Sequence, residues 1–221
     1  MGATADRSEA IQHYLREVFK LEEGGEHATT STVAAAMKVS RASASVMLKR
    51  LAALGLVDHA RYRGVSLTAT GRTVALEVIR HHRLLERYLA ETLRVPLDQV
   101  HEEADRLEHA LSDEIEQKID AVLGFPTHDP HGHPIPDAEL RLAAGANDRT
   151  LASLEPGETV AVSQVPDDDA ELLRYLGTLG LVPGTTVEVV ERAPFGGPVT
   201  LCIRGETQTI SVELAAAIGV A

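Results

Sequence analysis

Residues 101–116 read HEEADRLEHALSDEIE, and the fold is centred on this stretch. Nothing in it breaks an α-helix, so residues three and four apart share a face. One face carries two imidazoles and two carboxylates, those of His101, Asp105, Glu108 and His109. Such a face is costly to bury unless a cation neutralises it, so the pattern favours a divalent metal site. A solvated acidic face is the alternative interpretation.

A second segment strengthens the metal hypothesis. RHHRLLERYL, residues 80–89, places His82 and Glu86 four residues apart on another predicted helix. That spacing brings an imidazole and a carboxylate together on one helix face. Two helices that each offer histidine and carboxylate at ligand spacing predict metal binding.

The composition is that of a globular protein. The chain has 221 residues, 44% of them hydrophobic, which is enough for one large or two to three small domains. No run approaches the roughly 18–20 apolar residues of a membrane span, and the start lacks a signal-peptide pattern. The single cysteine, Cys202, excludes an internal disulfide and a cysteine-rich zinc site. We therefore expect a cytoplasmic protein with no membrane segment.

Charge is distributed unevenly along the chain, whose formal net charge is −12. Residues 1–75 carry 10 Lys and Arg against 7 Asp and Glu, a balance of +3, which leaves −15 for residues 76–221. This asymmetry is typical of a basic DNA-contacting module joined to an acidic remainder.

The N-terminal module follows the pattern of a winged helix-turn-helix. A helix over 8–22 precedes two short helices joined near residues 38–40, and Gly55 is a suitable C-cap for the second of these. Two short strands around residues 61–64 form the wing, and Thr70 opens the next helix. Four apolar residues of the second short helix are predicted to face inward: Val46, Leu48, Leu51 and Leu54.

The recognition helix and the wing supply the candidate DNA contacts. Serine hydroxyls, backbone amides and cationic side chains there would meet phosphates. Because this helix lacks Asn and Gln, shape and phosphate contacts would carry more of the specificity than direct base readout. Helix capping is the alternative role for the serines. The candidates are Ser40, Arg41, Ser43, Ser45, Lys49, Arg50, Arg61 and Arg63.

The remainder reads as helices followed by a small β domain. Apolar helices over residues 70–125 predict a region that also supplies a dimer face. The Pro-, Gly- and His-rich residues 126–150 predict an exposed linker, in which a surface metal site is the less favoured alternative; its histidines are His128, His131 and His133. Short strands beyond the linker predict an SH3-like barrel.

The expected fold is therefore mainly α with a small β domain. The predicted domains are a winged helix-turn-helix, a helical dimerisation and metal-binding domain, and a C-terminal barrel, over residues 1–75, 76–145 and 146–221.

Several segments together carry a family resemblance: SEAIQHYLREVFKLEE, VSRASASVMLKRLAALGLV, LTATGR, RHHRLLE, VHEEADRLEHALSDEIE and GFPTHDPHGHPIP. In these the chain resembles, over essentially its whole length, the diphtheria toxin repressor family of metal-dependent repressors, with the greatest likeness to manganese-sensing members. The resemblance implies a metal-activated repressor of manganese or iron homeostasis genes, with an SH3-like (FeoA-like) barrel. The implied partners are a second copy of the chain and a palindromic double-stranded DNA operator.

The resemblance also implies two neighbouring metal sites. The primary site would use His13, Asp105, Glu108 and His109. The ancillary site would use His82, Glu86 and His101, joined by barrel residues Asp169 and, less well aligned, Glu171. The barrel position that is a glutamine in the family is Leu172 here, which cannot bind a metal.

Two departures from the family bear on the choice of metal. Iron-sensing members have Cys where this chain has Asp105, and oxygen and nitrogen ligands favour a harder ion. Mn²⁺ is therefore the expected cofactor, with Fe²⁺ as the alternative. His13 matches neither the Met of iron sensors nor the usual Asp of manganese sensors. Zn²⁺ or Co²⁺ would also bind in vitro on affinity order alone.

Two other functions compete with this one. Residues 105–109, DRLEH, form a degenerate version of the inverted zincin motif H-x-x-E-H, which with His82 would make a zinc-dependent hydrolase. That reading leaves the winged helix without a role, so we expect no enzymatic activity. The other is a winged-helix regulator with an organic ligand, although 3% aromatic residues offer little stacking surface.

Overall fold

The structure, a computed structural model, describes residues 9–25, 27–60, 64–142 and 149–221. The chain divides into two compact units. The first contains residues up to His81 together with Pro136–Arg141. The second contains His82–Ile135 and Leu142–Ala221.

The first unit is a winged helix-turn-helix. Its elements are α1 (Glu9–Glu23), α2 (Thr30–Ala36), α3 (Arg41–Ala53), β1 (Val57–Ala60), β2 (Gly64–Leu67) and the start of α4 (Ala69–Glu91). The buried face of α1 includes Ile11, Leu15 and Val18, at the spacing of one helical face. The predicted order of helices and strands is confirmed.

Local hydrogen bonds set the boundaries of α2 and α3. Thr29 and Thr32 form a reciprocal capping box at the start of α2. Ser40 caps α3, its hydroxyl accepting a hydrogen bond from the Ser43 amide at 3.1 Å. Between the two helices Lys38 has a φ of 52°, which turns the chain sharply.

The predicted inward face of α3 was wrong at two positions. Leu48 and Leu51 are fully buried, but Val46 is 70% exposed and Leu54 is 54% exposed. The third buried residue is Ala44. Leu48 follows Ala44 by four residues and Leu51 follows Leu48 by three, so the three side chains lie on one helix face. Val46 lies two residues from Leu48, about 200° away around the helix, so it faces solvent.

The wing is a two-stranded antiparallel ribbon that pairs Val57 with Leu67. The Val65 amide donates to the Ala28 carbonyl at 2.8 Å, which anchors β2. Gly64 has a φ of +84°, and a Cβ there would lie 2.5 Å from the Ala28 oxygen, so the position requires glycine. The predicted wing residues Arg61 and Arg63 lie outside the described residues.

The second unit begins with four helical segments. The rest of α4 is followed by α5 (Val100–Leu107), a 3₁₀ turn (Glu108–Ala110) and α6 (Asp113–Val122). Residues 101–116 are therefore not the one continuous helix that the shared face assumed, and a separate helix begins after Ser112. Leu111 is extended, and Ser112 is the N-cap of α6. The acidic first turn of α6 favours a new helix start, because carboxylates stabilise the positive end of the helix dipole.

A five-stranded antiparallel sheet forms the C-terminal part of the second unit. The five strands are β3 (Thr159–Gln164), β4 (Thr186–Arg192), β5 (Val199–Ile203), β6 (Glu206–Ile210) and β7 (Gly219–Val220). Two helices connect strands of this sheet: α7 (Ala170–Leu179) lies between β3 and β4 in the chain, and α8 (Val212–Ala216) lies between β6 and β7. The strand order is β6-β5-β4-β3-β7. Alternate residues of β5 point into the core, as Val199, Leu201 and Ile203 show.

Two apolar clusters stabilise the second unit. The helical cluster includes Leu84, Val100 and Ile119, and the sheet cluster includes Leu176 and Leu201. Leu97, in the connection before α5, packs against both clusters. The helical region and the sheet of this unit therefore share a packed boundary.

The predicted fold class, mainly α with a small β domain, is confirmed. Among the helices that the structure describes, none has the length and apolar character that crossing a bilayer requires. The domain boundaries predicted from sequence stay a prediction, since the observed division falls within α4.

Candidate metal centres

Helix α4 positions the central imidazole of the site. His82 and Glu86, one turn apart, are both buried, and His82 Nε2 lies 2.9 Å from Glu86 Oε1. His101 of α5 completes the group, since its Nδ1 lies 3.0 Å from both His82 Nε2 and Glu86 Oε1. Three potential ligands thus converge on one point, and the structure brings together the predicted ancillary residues of the helices.

The other ring nitrogen of His82 faces the acidic residues that follow. His82 Nδ1 lies 2.7 Å from Glu108 Oε2 and 3.3 Å from Asp105 Oδ1. Glu108 is buried, and its second oxygen, Oε1, lies 3.5 Å from His109 Nε2. The structure therefore places Asp105 and Glu108 of the predicted primary site against His82, and His109 beside the other oxygen of Glu108. His13 lies half-buried on α1 of the first unit, and its role as a ligand stays a prediction.

Charge is concentrated at this buried centre. Burial by itself lowers the pKa of His82, but the carboxylates of Glu86, Asp105 and Glu108 outweigh it and hold that pKa well above the ordinary 6.5. Burial likewise raises the pKa of Glu86, but the charge of His82 and the neighbouring imidazoles of His101 and His131 hold it well below 4.5. A cation at this point would take the neutralising role that the His82 imidazolium has here.

A second cluster forms in the segment predicted to be an exposed linker. Asp129 is 2% exposed and His131 is fully buried, and they converge with His133 as potential ligands. Only His128 of the three predicted linker histidines is exposed. The prediction of an exposed linker was therefore wrong for residues 129–133. The D-x-H-x-H spacing of residues 129–133 was a signal that could have placed Asp129 beside the two histidines, and the prediction missed it.

Close backbone packing explains why this loop is buried. Gly132 has a φ of +93°, and a Cβ there would lie 1.9 Å from the Ser163 carbonyl oxygen of β3. The His131 carbonyl accepts a hydrogen bond from the Val165 amide at 2.9 Å. Asp129 Oδ1 accepts from the amides of His131 and His133, both at 2.9 Å. The loop is thus fixed to the sheet and closed on itself around one carboxylate.

The remaining polar atoms of the two clusters fit a divalent cation. Four buried atoms of these clusters have no hydrogen-bond partner among the described residues: Glu86 Oε2, Asp129 Oδ2, His131 Nδ1 and His133 Nδ1. Such atoms are costly to bury without a partner, and all four are of the kinds that bind metals. His131 Nε2 lies 3.2 Å from the Leu97 carbonyl, which leaves Nδ1, 3.7 Å from Glu86 Oε2, for a ligand.

The sheet domain contributes a carboxylate different from the predicted ones. Asp169 caps α7, accepting from the amides of Glu171 and Leu172, and both Asp169 and Glu171 are exposed. Among the described residues, neither belongs to a group of converging potential ligands. Asp167 instead lies with its Oδ2 3.7 Å from His133 Nδ1. Its proximity to the cluster is visible only in the tertiary structure.

The described DNA-binding candidates lie on and beside α3. Ser40 is the helix cap, and its hydroxyl also lies 2.9 Å from the Ser43 hydroxyl, so the capping role predicted as the alternative is present. Ser45 is half-buried, and the other candidates of this helix are exposed: Arg41, Ser43, Lys49 and Arg50. An exposed helix with hydroxyls at its start and cations along it suits phosphate contacts.

Three family descriptions match successive parts of the chain. "Iron dependent repressor, N-terminal DNA binding domain" matches residues 6–65. "Iron dependent repressor, metal binding and dimerisation domain" matches residues 68–137, and "FeoA domain" matches residues 149–221.

Curated relatives match over almost the whole chain. The iron-dependent repressor IdeR of Mycobacterium tuberculosis strain H37Rv is 36% identical over 224 residues, covering 96% of each chain. The diphtheria toxin repressor of Corynebacterium diphtheriae is 30% identical, covering 95% of this chain and 96% of the relative.

Solved structures with the same fold include manganese-dependent regulators. A manganese-dependent transcriptional repressor in complex with manganese has a TM-score of 0.87 and 37% identity, covering 96% of this chain and 99% of that one. The manganese regulator SloR has a TM-score of 0.81 and 29% identity, and the match covers 96% of this chain and 97% of that one.

These relatives and neighbours are transcriptional regulators, so the alternative of a zinc-dependent hydrolase is not supported, and the expectation of no enzymatic activity is confirmed. The DNA-binding and dimerisation descriptions identify DNA and a second copy of the chain as partners. The chain belongs to the iron-dependent repressor family of metal-dependent transcriptional repressors, in which the diphtheria toxin repressor is also found.

Proposed function

We propose that this protein is a manganese-activated repressor, in which Mn²⁺ binding in the second unit prepares the winged helix of a homodimer for operator binding. The observation that carries the proposal is the convergence of His82, Glu86 and His101, whose ligand atoms lie within 4.8 Å of one another. This buried set consists of nitrogen and oxygen donors, which suit Mn²⁺ and Fe²⁺ better than soft ions.

The named metals of similar proteins support the same choice. A structural neighbour at 37% identity is described in complex with manganese, whereas a curated relative at 36% identity is named an iron-dependent repressor. We place Mn²⁺ first because Asp105 puts an oxygen beside His82, and no cysteine occurs in the converging groups of the described residues.

Each ligand group would hold the cation with side chains already positioned. His82, Glu86 and His101 would form the ancillary site, and the unsatisfied Nδ1 of His131 offers a further ligand beside Glu86. Asp105, Glu108 and His109 would form the primary site, and His13 stays a prediction from the resemblance. When bound, the metal would supply the positive charge that lets these carboxylates lie together without mutual repulsion.

The DNA partner would be a palindromic operator in promoters of manganese or iron homeostasis genes, read in the cytoplasm. Two recognition helices of a symmetric dimer reach successive major grooves about 34 Å apart, or a multiple of that distance. Metal and operator would then each raise the affinity for the other, since coupling between two binding sites is reciprocal.

Fluorescence anisotropy tests this proposal on a labelled promoter fragment from the genome that encodes the protein. Binding would be measured at one salt concentration with chelator, with Mn²⁺ and with anaerobic Fe²⁺. The variant Glu86→Gln removes the charge of a buried ligand, and Glu102→Gln is the control because Glu102 is an exposed carboxylate of α5.

We expect tight DNA binding with Mn²⁺ only, its loss in Glu86→Gln, and its retention in Glu102→Gln. An equal response to Fe²⁺ would leave a metal-activated repressor but remove manganese as its specific activator. Equal binding in chelator by the parent protein would contradict metal activation altogether.

A further inference from the structure

His82 touches both predicted metal sites with a single ring. Its Nε2 lies 2.9 Å from Glu86 Oε1 and 3.0 Å from His101 Nδ1, the ligands of the ancillary set. Its Nδ1 lies 2.7 Å from Glu108 Oε2, which belongs to the primary set. The ring is 4% exposed, and Glu108 is 2% exposed, so water does not compete for this contact.

A histidine that binds a metal through one nitrogen commonly donates its other N–H to a carboxylate, which fixes the ring and its tautomer. Here the carboxylate that accepts from Nδ1 is itself a predicted ligand of the neighbouring site. Glu108 Oε2 is held by His82, while Oε1 lies on the side of His109, 3.5 Å from its Nε2. The hydrogen bond therefore decides which oxygen of Glu108 is presented to a cation beside His109.

We infer that His82 is a positioning residue for the primary site as well as a ligand of the ancillary site, and that it couples the two. With Nε2 bound to metal, the imidazole keeps its proton on Nδ1 and directs it to Glu108 Oε2. Filling the ancillary site then fixes the Glu108 carboxylate in the orientation that the primary site needs. This inference rests on the proposed metal-binding function and adds a physical link between the two sites.

The test disables the ancillary site first, so that the role of His82 as a ligand no longer matters. His101→Ala removes a ligand of that site, and two further changes at residue 82 are compared in this background. Asparagine places an N–H donor close to the position of Nδ1, whereas glutamine places its polar group near the position of Nε2. His82→Asn therefore retains the hydrogen bond to Glu108, and His82→Gln loses it.

Mn²⁺ binding is measured by calorimetry in the full chain without DNA, and the primary site is identified as the binding that His109→Ala abolishes. We expect His82→Gln to weaken this binding by about 10- to 100-fold, the usual effect of losing a hydrogen bond to a metal ligand. His82→Asn should stay within a few-fold of the His101→Ala parent. Glu102→Gln in the same background is the control, because Glu102 is an exposed carboxylate of α5 that pairs with Arg106 and belongs to neither metal set.

The outcomes separate the inference from the proposed function. Equal affinity in the glutamine and asparagine variants would overturn the inference, whether both are weak or both are unchanged. An effect of Glu102→Gln as large as that of His82→Gln would also overturn it, because the loss of any nearby carboxylate or contact would then suffice. If the unmodified protein binds no Mn²⁺ at all, the proposed function itself fails. Circular dichroism in chelator checks that each variant is folded. The Mn²⁺ affinities of His82→Asn and His82→Gln are also compared in the protein that retains His101.

Discussion

His82 is held between Glu86 and Glu108, and its charge links protein stability to pH. Burial opposes protonation, but the surrounding carboxylates raise the pKa of His82 well above 6.5, so the metal-free protein contains an imidazolium. A raised pKa in the folded state stabilises the protein fully below the unfolded-state pKa of about 6.5. This stabilisation is lost as the pH rises through the folded-state pKa.

We therefore expect the unfolding free energy in chelator to fall as the pH rises above about 6.5 and the His82 proton is lost. The decrease should be smaller in His82→Gln and unchanged in His128→Gln, since His128 is exposed. Urea denaturation at several pH values measures it. The same decrease in all three proteins would show that His82 is not the responsible group.

Glu86 also stabilises the folded protein, but with the opposite dependence on pH. Its pKa is held well below 4.5, so its stabilisation is present above that pH and is lost as the pH falls through the folded-state pKa. Together the two residues make the metal-free protein most stable between the ordinary pKa values of the two side chains, 4.5 for Glu86 and 6.5 for His82.

At the scale of elements, the loop of residues 129–133 depends on Gly132. Alanine at this position combines a left-handed backbone with a Cβ 1.9 Å from the Ser163 oxygen. Gly124 provides a matched control, because it also has a positive φ, +73°, but a Cβ there would meet no atom within 4 Å.

We expect Gly124→Ala to cost about 1–2 kcal/mol of unfolding free energy, the usual penalty for alanine in a left-handed conformation. Gly132→Ala should cost more, about 2–4 kcal/mol, because the loop must also move away from β3. It should weaken Mn²⁺ binding in addition, since His131 moves with the loop. Urea denaturation and calorimetry measure both effects, and equal losses in the two variants would contradict the role assigned to the loop.

The recognition helix α3 presents its cations to solvent. Replacing Lys49 by alanine should weaken DNA binding similarly on all sequences, because a phosphate contact carries no base information. The slope of log affinity against log salt concentration should become shallower by about one. Lys118→Ala is the control, since Lys118 is an exposed lysine of α6 that is paired with Glu114. An unchanged slope in Lys49→Ala would exclude this residue from the DNA contact.

At the scale of the whole molecule, repression requires a dimer, and α6 leaves an apolar surface exposed. Ile115 and Val122 are seven residues apart on one helix face, and Phe125 follows; they are 46%, 70% and 70% exposed. We expect this apolar surface to contact the second copy, because it lies in the part of the chain that matches a dimerisation domain and exposed apolar groups of this kind favour association.

Val122→Glu should raise the dimer dissociation constant by roughly 10- to 100-fold, because a charge would be buried in the interface. Analytical ultracentrifugation measures this change, and DNA affinity should fall with it. Val190→Glu, at a half-exposed position of β4, should leave the dimer intact. A Val122→Glu protein that remains fully dimeric would place the interface elsewhere.

Much of the architecture was predictable because it depends on short-range spacing. The four-residue separation of His82 and Glu86 on α4, the cap at Ser40 and the alternation along β5 each involve residues within one or two turns or a single strand. Helical and strand periods determine such relations whatever the rest of the chain does. Spacing could therefore single out His82 and Glu86 on α4 as a candidate pair, whereas their grouping with His101 of α5 in an ancillary site came from the family resemblance.

The sequence by itself thus determined the order of the elements, the family resemblance and the candidate ligands on the helices. Only the tertiary structure decided that His131 approaches Glu86, that Asp167 rather than Asp169 lies beside His133, and that the loop around Gly132 is buried. These contacts join residues far apart in the chain, so they depend on how the loop packs against the sheet and the helices. Spacing within one segment carries no information about that packing, because it is set by the shape and burial of the surfaces that meet.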